Sequence, residues 1–164
     1  MSLITDNFEK VAKERNLEFD HQENRYPLKN ADGEEVEQVQ QFYQTSLKIS
    51  QTEAVPCAVI IHDAPMDIVN YQITYNHIGQ VTDRNKLAGI LEKLNEINSL
   101  KSGYYHFVVS ASGELVMRHL GMTGEDTHPL VDTFMSGGRI LNLLIPELRQ
   151  ISGLKIGNAI KLDQ

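Results

Sequence analysis

The chain has 164 residues, with 15 Lys and Arg against 22 Asp and Glu, a formal net charge of −7 and 41% apolar residues. That composition is globular rather than disordered, and burial of roughly 70% of the unfolded chain's surface allows one sizeable core, so a single domain over residues 1–164 is expected. One cysteine excludes a disulfide scaffold, and scattered basic residues in an acidic chain argue against nonspecific nucleic-acid binding.

The N-terminal stretch mixes acids and bases and has no apolar run of signal length, and apolar runs such as Ala58 to Ile61 are far too short to span a bilayer. The expectation is a cytoplasmic protein without a membrane partner.

Ile4 to Leu17 predicts a helix, with Ile4, Phe8, Val11 and Ala12 at helical spacing and Thr5 or Asp6 as its cap. Asp20 to Glu37 is polar, holds Pro27 and the turn pair Asp32-Gly33, and reads as a loop or loose hairpin. From Val39 the period becomes two. Val39, Tyr43, Thr45, Leu47 and Ile49 share one side of a strand, and Gln40, Phe42, Gln44, Ser46 and Lys48 the other. Val55 to His62 reads as a central strand with Pro56 near its start. Ile68 to His77 alternates most clearly, with Val69, Tyr71, Ile73 and Tyr75 packed and Asn70, Gln72, Thr74 and Asn76 wet.

Thr82 is the expected start of a second helix, whose apolar stripe runs through Leu87, Ile90, Leu91, Leu94 and Ile97. Tyr104 to Val109 and Glu114 to Leu120 form a hairpin around Ser110-Ala111-Ser112-Gly113. A last helix, Thr127 to Ser152, is apolar over a wide face, with Gly137-Gly138 weakening it and Pro146 expected to kink or restart it. A short tail follows, with Leu154, Ile156, Ile160 and Leu162 alternating. The expected class is α+β: an antiparallel five-stranded sheet with helices on one face, in the order α-β-β-β-α-β-β-α.

Leu94-Asn95-Glu96-Ile97-Asn98, then Tyr104 to Val109, then Gly113-Glu114-Leu115-Val116 and an apolar helix give the second half its pattern. In that order of elements, over about Ile4 to Ser152, the chain resembles the YbjN-like proteins, which share their fold with type III secretion chaperones. The resemblance implies a small helper or regulatory protein without catalysis, and chaperones of that fold are usually dimers that bind extended partner segments. The Asp20–Glu37 stretch and the tail after Gly153 depart from that pattern.

The six histidines, His21, His62, His77, His106, His119 and His128, include no pair at ligand spacing, so no metal is expected. Cys57, between Pro56 and an apolar run, reads as a buried thiol rather than a nucleophile. Gly137-Gly138-Arg139 reads as close helix packing rather than a phosphate loop, and Gly121, Gly124 and Asp126 as a turn before a helix whose N-terminus could hold an anion. No catalytic residue and no cofactor is assigned. The remaining feature is a surface: Gln40, Phe42, Gln44, Asn70, Gln72, Thr74 and Asn76, extended by Tyr104 and His106, as a partner-binding face whose alternative reading is a solvated sheet. The expected function is a non-enzymatic binding protein acting through protein contacts, and a homodimer whose interface includes the last helix or an adjacent strand. The alternative is a small hydrolase or isomerase using His and Asp/Glu groups, which should gather three titratable groups in one concave pocket.

Overall fold

The structure is a computed structural model and describes residues 2–157 and 160–161. Its elements run α1 (Leu3–Glu14), β1 (Asp20–Lys29), β2 (Glu35–Lys48), β3 (Glu53–Asp63), β4 (Val69–Val81), α2 (Leu87–Leu100), β5 (His106–Val109), β6 (Glu114–Thr123), α3 (His128–Leu148), β7 (Leu154–Ile156) and β8 (Ile160–Lys161). Among the described residues the strands join one sheet in the order β1-β2-β3-β4-β6-β5, while β7 pairs with β4 and β8 with β3. The α+β class and the antiparallel hairpins stand, but the sheet is larger than five strands and the expected order is wrong.

The first correction is β1. Asp20 to Lys29 is a ten-residue strand, antiparallel to β2 from Asp20↔Gln44 to Lys29↔Glu35. It has no apolar row because it is a sheet edge, exposed on nearly all its length. The turn pair does close it: Asn30 Oδ1 accepts from the Asp32 and Glu34 amides at 3.0 and 2.9 Å, and Gly33 takes the left-handed φ of 80° that the turn needs. The further strands are β7 and β8, formed by the tail; Leu162 lies outside the described residues.

Two caps also differ. Ser2 caps α1 through Thr5 N, while Thr5 is buried and returns its hydroxyl to Ser2 O at 2.8 Å. Thr82 donates to Gly153 O instead, and Asp83 caps a short 3-10 turn, Arg84–Lys86, ahead of α2. Pro146 does not restart α3, which runs through it to Leu148. Gly121 belongs to β6 rather than to a turn.

The chain forms two compact units. The first comprises residues 1–45, 58–73 and 120–134. Its core is aromatic: Phe8 lies 4.7 Å from Tyr43 by ring centroids, and Phe19 lies 5.6 Å from Phe8 and 5.3 Å from Phe134. Arg15 pairs with Asp132 at 3.1 Å, so α1 and the start of α3 lie on the same side as Tyr43.

The second unit comprises residues 46–57, 74–119 and 135–164. Ile90, Leu94 and Ile97 of α2 are buried there, and Asn98 clamps β5 by donating to Phe107 O at 3.0 Å and accepting from Phe107 N at 2.7 Å. Glycine at 137 is set by close packing. A Cβ there would stand 2.4 Å from Tyr105 Cζ, whereas a Cβ at Gly89 of α2 would meet nothing within 4 Å. Gly137→Ala therefore destabilises by about 1–3 kcal/mol despite the better helix former, and Gly89→Ala stabilises by up to about 1 kcal/mol. Urea denaturation of both variants checks the pair.

Candidate functional site

Period two gives the sheet of the first unit two unlike faces. On the helix side Tyr43 donates to Glu9 of α1 at 3.0 Å, Tyr71 hydrogen-bonds Thr133 of α3, and Gly121 packs on the Tyr71 ring. Gln41 and Asp63 also meet on this side. Residues of even number on these strands therefore face the other way, as the Gln38–His62 hydrogen bond between β2 and β3 requires.

That outward face holds five of the expected surface residues, Gln40, Phe42, Gln44, Asn70 and Gln72. Register and parity add Gln22, Asn24, Tyr26, Leu28, Val36, Gln38, Leu120 and Met122, while β3 between them contributes Ile60 and the titratable His62. None of the thirteen on β1, β2, β4 and β6 carries a charge, although charged residues make up 23% of the chain. Asp20 stands at the rim. Among its large apolar side chains Leu120 and Met122 are the most open, at 62% and 72% exposure. The opposite side of the β1–β2 hairpin carries Glu23, Arg25, Lys29, Glu35 and Glu37.

The other four expected residues belong to the second unit. Thr74 is buried, not wet, and its hydroxyl accepts from Asn76 at 3.2 Å. Tyr104 is 80% exposed and precedes β5 rather than starting it, and His106 is exposed at the first position of β5. The wide apolar face of α3 is largely covered within the chain. Leu130, Val131, Phe134, Leu141, Leu144, Ile145 and Leu148 are buried and Leu143 is exposed, so the excess apolar surface that motivated a helix-based dimer is small.

The main feature absent from the sequence expectations is a polar cluster on the helix side of the first unit. Gln41 is fully buried. Its Nε2 donates to Glu23 Oε2 at 2.9 Å and Asp63 Oδ2 at 3.0 Å, and its Oε1 lies 2.6 Å from His21 Nε2. The His21 ring stacks on Tyr43 at 4.5 Å with 11° between planes. Burial first, and the Glu9 carboxylate second, push the Tyr43 hydroxyl well above its ordinary range, so it stays a donor. The Gln41 amide first, and Arg25 second, hold the Glu23 carboxyl below its usual range. Beside this cluster opens a cleft of about 400 Å³ lined by Phe8, Glu9, Ala12, Lys13, Leu17, Glu18, Phe19, His21 and Tyr43.

The second unit has a larger groove, about 670 Å³, lined by Lys86, Gly89, Lys93, Glu96, Glu147 and Ser152 among others. Lys86 donates to Ser152 Oγ there at 2.8 Å. Among the described residues no group of three His, Cys, Asp or Glu is arranged to hold a metal. His77 and Glu114 pair at 3.0 Å, His119 Nδ1 lies 3.0 Å from Tyr104 O, and His128 lies 2.8 Å from Asp126. Asp126 accepts from the His128 amide, so a carboxylate occupies the N-terminus of α3 that could have held an anion.

Among the described residues no helix is long and apolar enough to cross a membrane. No protein-family model matches the chain, and no curated protein matches it.

Two outcomes are expected. Glu23, lowered on folding, contributes stability that is complete above the ordinary carboxyl value of 4.5 and is lost as pH falls through its folded value. Gln41→Leu leaves that carboxylate without its amide donor. The variant loses about 1–3 kcal/mol at neutral pH, and its remaining stability falls less steeply with acid, read as urea midpoints across the acid range. Cys57 is buried, and that burial pushes its thiol up to about 12. Iodoacetamide at about pH 8 therefore labels it only after unfolding, followed by intact mass.

Proposed function

We propose that this chain is a non-enzymatic binding protein, chaperone-like or regulatory, that works in the cytoplasm through protein–protein contacts on its outward sheet face. The supporting observation is that the outward rows of β1, β2, β4 and β6 in the first unit carry thirteen side chains without charge in an acidic chain, with His62 of β3 among them and Asp20 at the rim. Loss of charge with enrichment of aromatic and Met residues is the compositional mark of an interface core, whereas a solvated face of this chain would carry Lys and Glu as its opposite side does.

The occupant we assign is a second copy. Two chains of charge −7 repel over most of their surfaces, and an uncharged face lets them meet without opposing carboxylates. The open edge of β1 is a poorer route. Asn30 N bonds Glu34 O, so in this antiparallel ladder the odd residues of β1 aim their backbone groups outward, and Pro27 has no amide hydrogen to offer there.

Sedimentation equilibrium at micromolar concentration tests the dimer. The wild type should sediment at twice 18.5 kDa, and Leu120→Lys with Met122→Lys, both at exposed positions, should return it to the monomer mass. Leu143→Lys on α3 should leave the dimer intact. A wild type that stays monomeric on concentration defeats the reading, and dissociation by Leu143→Lys alone would move the interface to α3.

The second reading, a small hydrolase or isomerase, is favoured by one observation: the cleft beside α1 gathers Glu9, Lys13, Glu18, His21 and Tyr43.

A further inference from the structure

The orientation of the Gln41 amide fixes the tautomer of His21. Two carboxylates, Glu23 and Asp63, accept from Gln41 Nε2, so the amide oxygen must be the atom turned to His21. At 2.6 Å from that oxygen, His21 Nε2 carries the hydrogen. In the neutral ring Nδ1 is then a lone pair.

Nδ1 lies 3.7 Å from Glu9 Oε1. In that state two acceptors face one another with no hydrogen between them, too far apart to bond; Glu9 Oε1 already accepts from Tyr43, and its second lone pair and that of Nδ1 are near enough to accept from one nitrogen placed between them. A primary ammonium is the group that fits, since it donates three hydrogens and accepts none. Around this point the cleft is aromatic. Tyr43 stacks under His21, and Phe8 and Phe19 complete the wall with Leu17. Aromatic faces attract a cation and take up a flat apolar body. The volume, about 400 Å³, lies within the range of small-molecule pockets. Glu18 adds a second carboxylate at the rim, and Lys13 opposes it.

We propose that this cleft binds a small primary amine with an aromatic or apolar body, its ammonium held between Glu9 and His21 Nδ1. The site is separate from the outward face, so it stands or falls independently of the dimer.

The test is an NMR titration at neutral pH with 2-phenylethylamine, against 2-phenylethanol as the neutral analogue. The amine should shift signals of Phe8, Phe19 and Tyr43 saturably and bind at least roughly tenfold more tightly than the alcohol, with Glu9→Gln losing that preference. Glu9→Gln keeps an acceptor for Tyr43 and is checked by its melting temperature. Lys13→Ala, on the exposed rim, removes a like charge and should tighten amine binding roughly twofold or more, which decides the matter if the first variant is unstable. Equal affinity for amine and alcohol, absence of a saturable shift, shifts confined to other parts of the chain, or unchanged or weaker amine binding by Lys13→Ala would overturn the proposal. So would binding of a blocked lysine amide in preference to the free amine, which would make the occupant a protein side chain.

Discussion

The first unit depends on the environment of one buried amide. Gln41 has no exposure, yet it satisfies a histidine and two carboxylates drawn from β1 and β3, on either side of its own strand. A buried amide left unpaired costs about 1–3 kcal/mol. The three strands therefore cannot slip by one residue without orphaning several polar atoms at once. This is what holds β1, a strand without an apolar row, at a fixed register on the sheet edge.

The same register divides the chemistry of the two faces. On the helix side, several acids and bases are held by partners: Glu23 and Glu37 with Arg25, Glu9 with Tyr43, Asp63 with Gln41. The outward side is left mainly to amides, aromatics and aliphatics, with His62 bonded to one of the amides. Amide side chains tolerate water and a protein surface equally well, since each both donates and accepts. A face of this kind can stay hydrated in a lone chain and still lose its water to a partner at modest cost.

How much was legible in the sequence follows from what each signal measures. The β5–β6 hairpin, the α2 stripe without its exposed member Leu91, the buried Cys57 and the packed row Val69, Tyr71, Ile73 and Tyr75 all show as local signals and are found. The β1 strand does not, because an edge strand in the open makes no demand on apolar alternation and Pro27 reads as a breaker. The close packing of Gly137 was readable from the apolar period on both sides of the pair, although its neighbour Tyr105 was not. The polar cluster joins residues twenty or so positions apart through pairings no local pattern specifies. One signal could have revealed it: Gln41 stands in the inward row of β2 between Val39 and Tyr43, where a polar side chain needs a buried partner.

His77 has a φ of 52°, and the inward row of β4 passes from Tyr75 to Ile78 across it rather than to position 77. The strand is thus one residue longer than its two-residue pleat requires, with the surplus lodged at His77 and tied to Glu114 through its own amide at 2.8 Å. In the language of insertions and deletions, β4 is two in-phase segments joined by a spare residue. Loss of that residue leaves Ile73, Tyr75 and Ile78 in a single row, whereas loss of a residue within either segment turns part of its apolar row outward. The length of this strand is therefore elastic at one position and rigid at its neighbours.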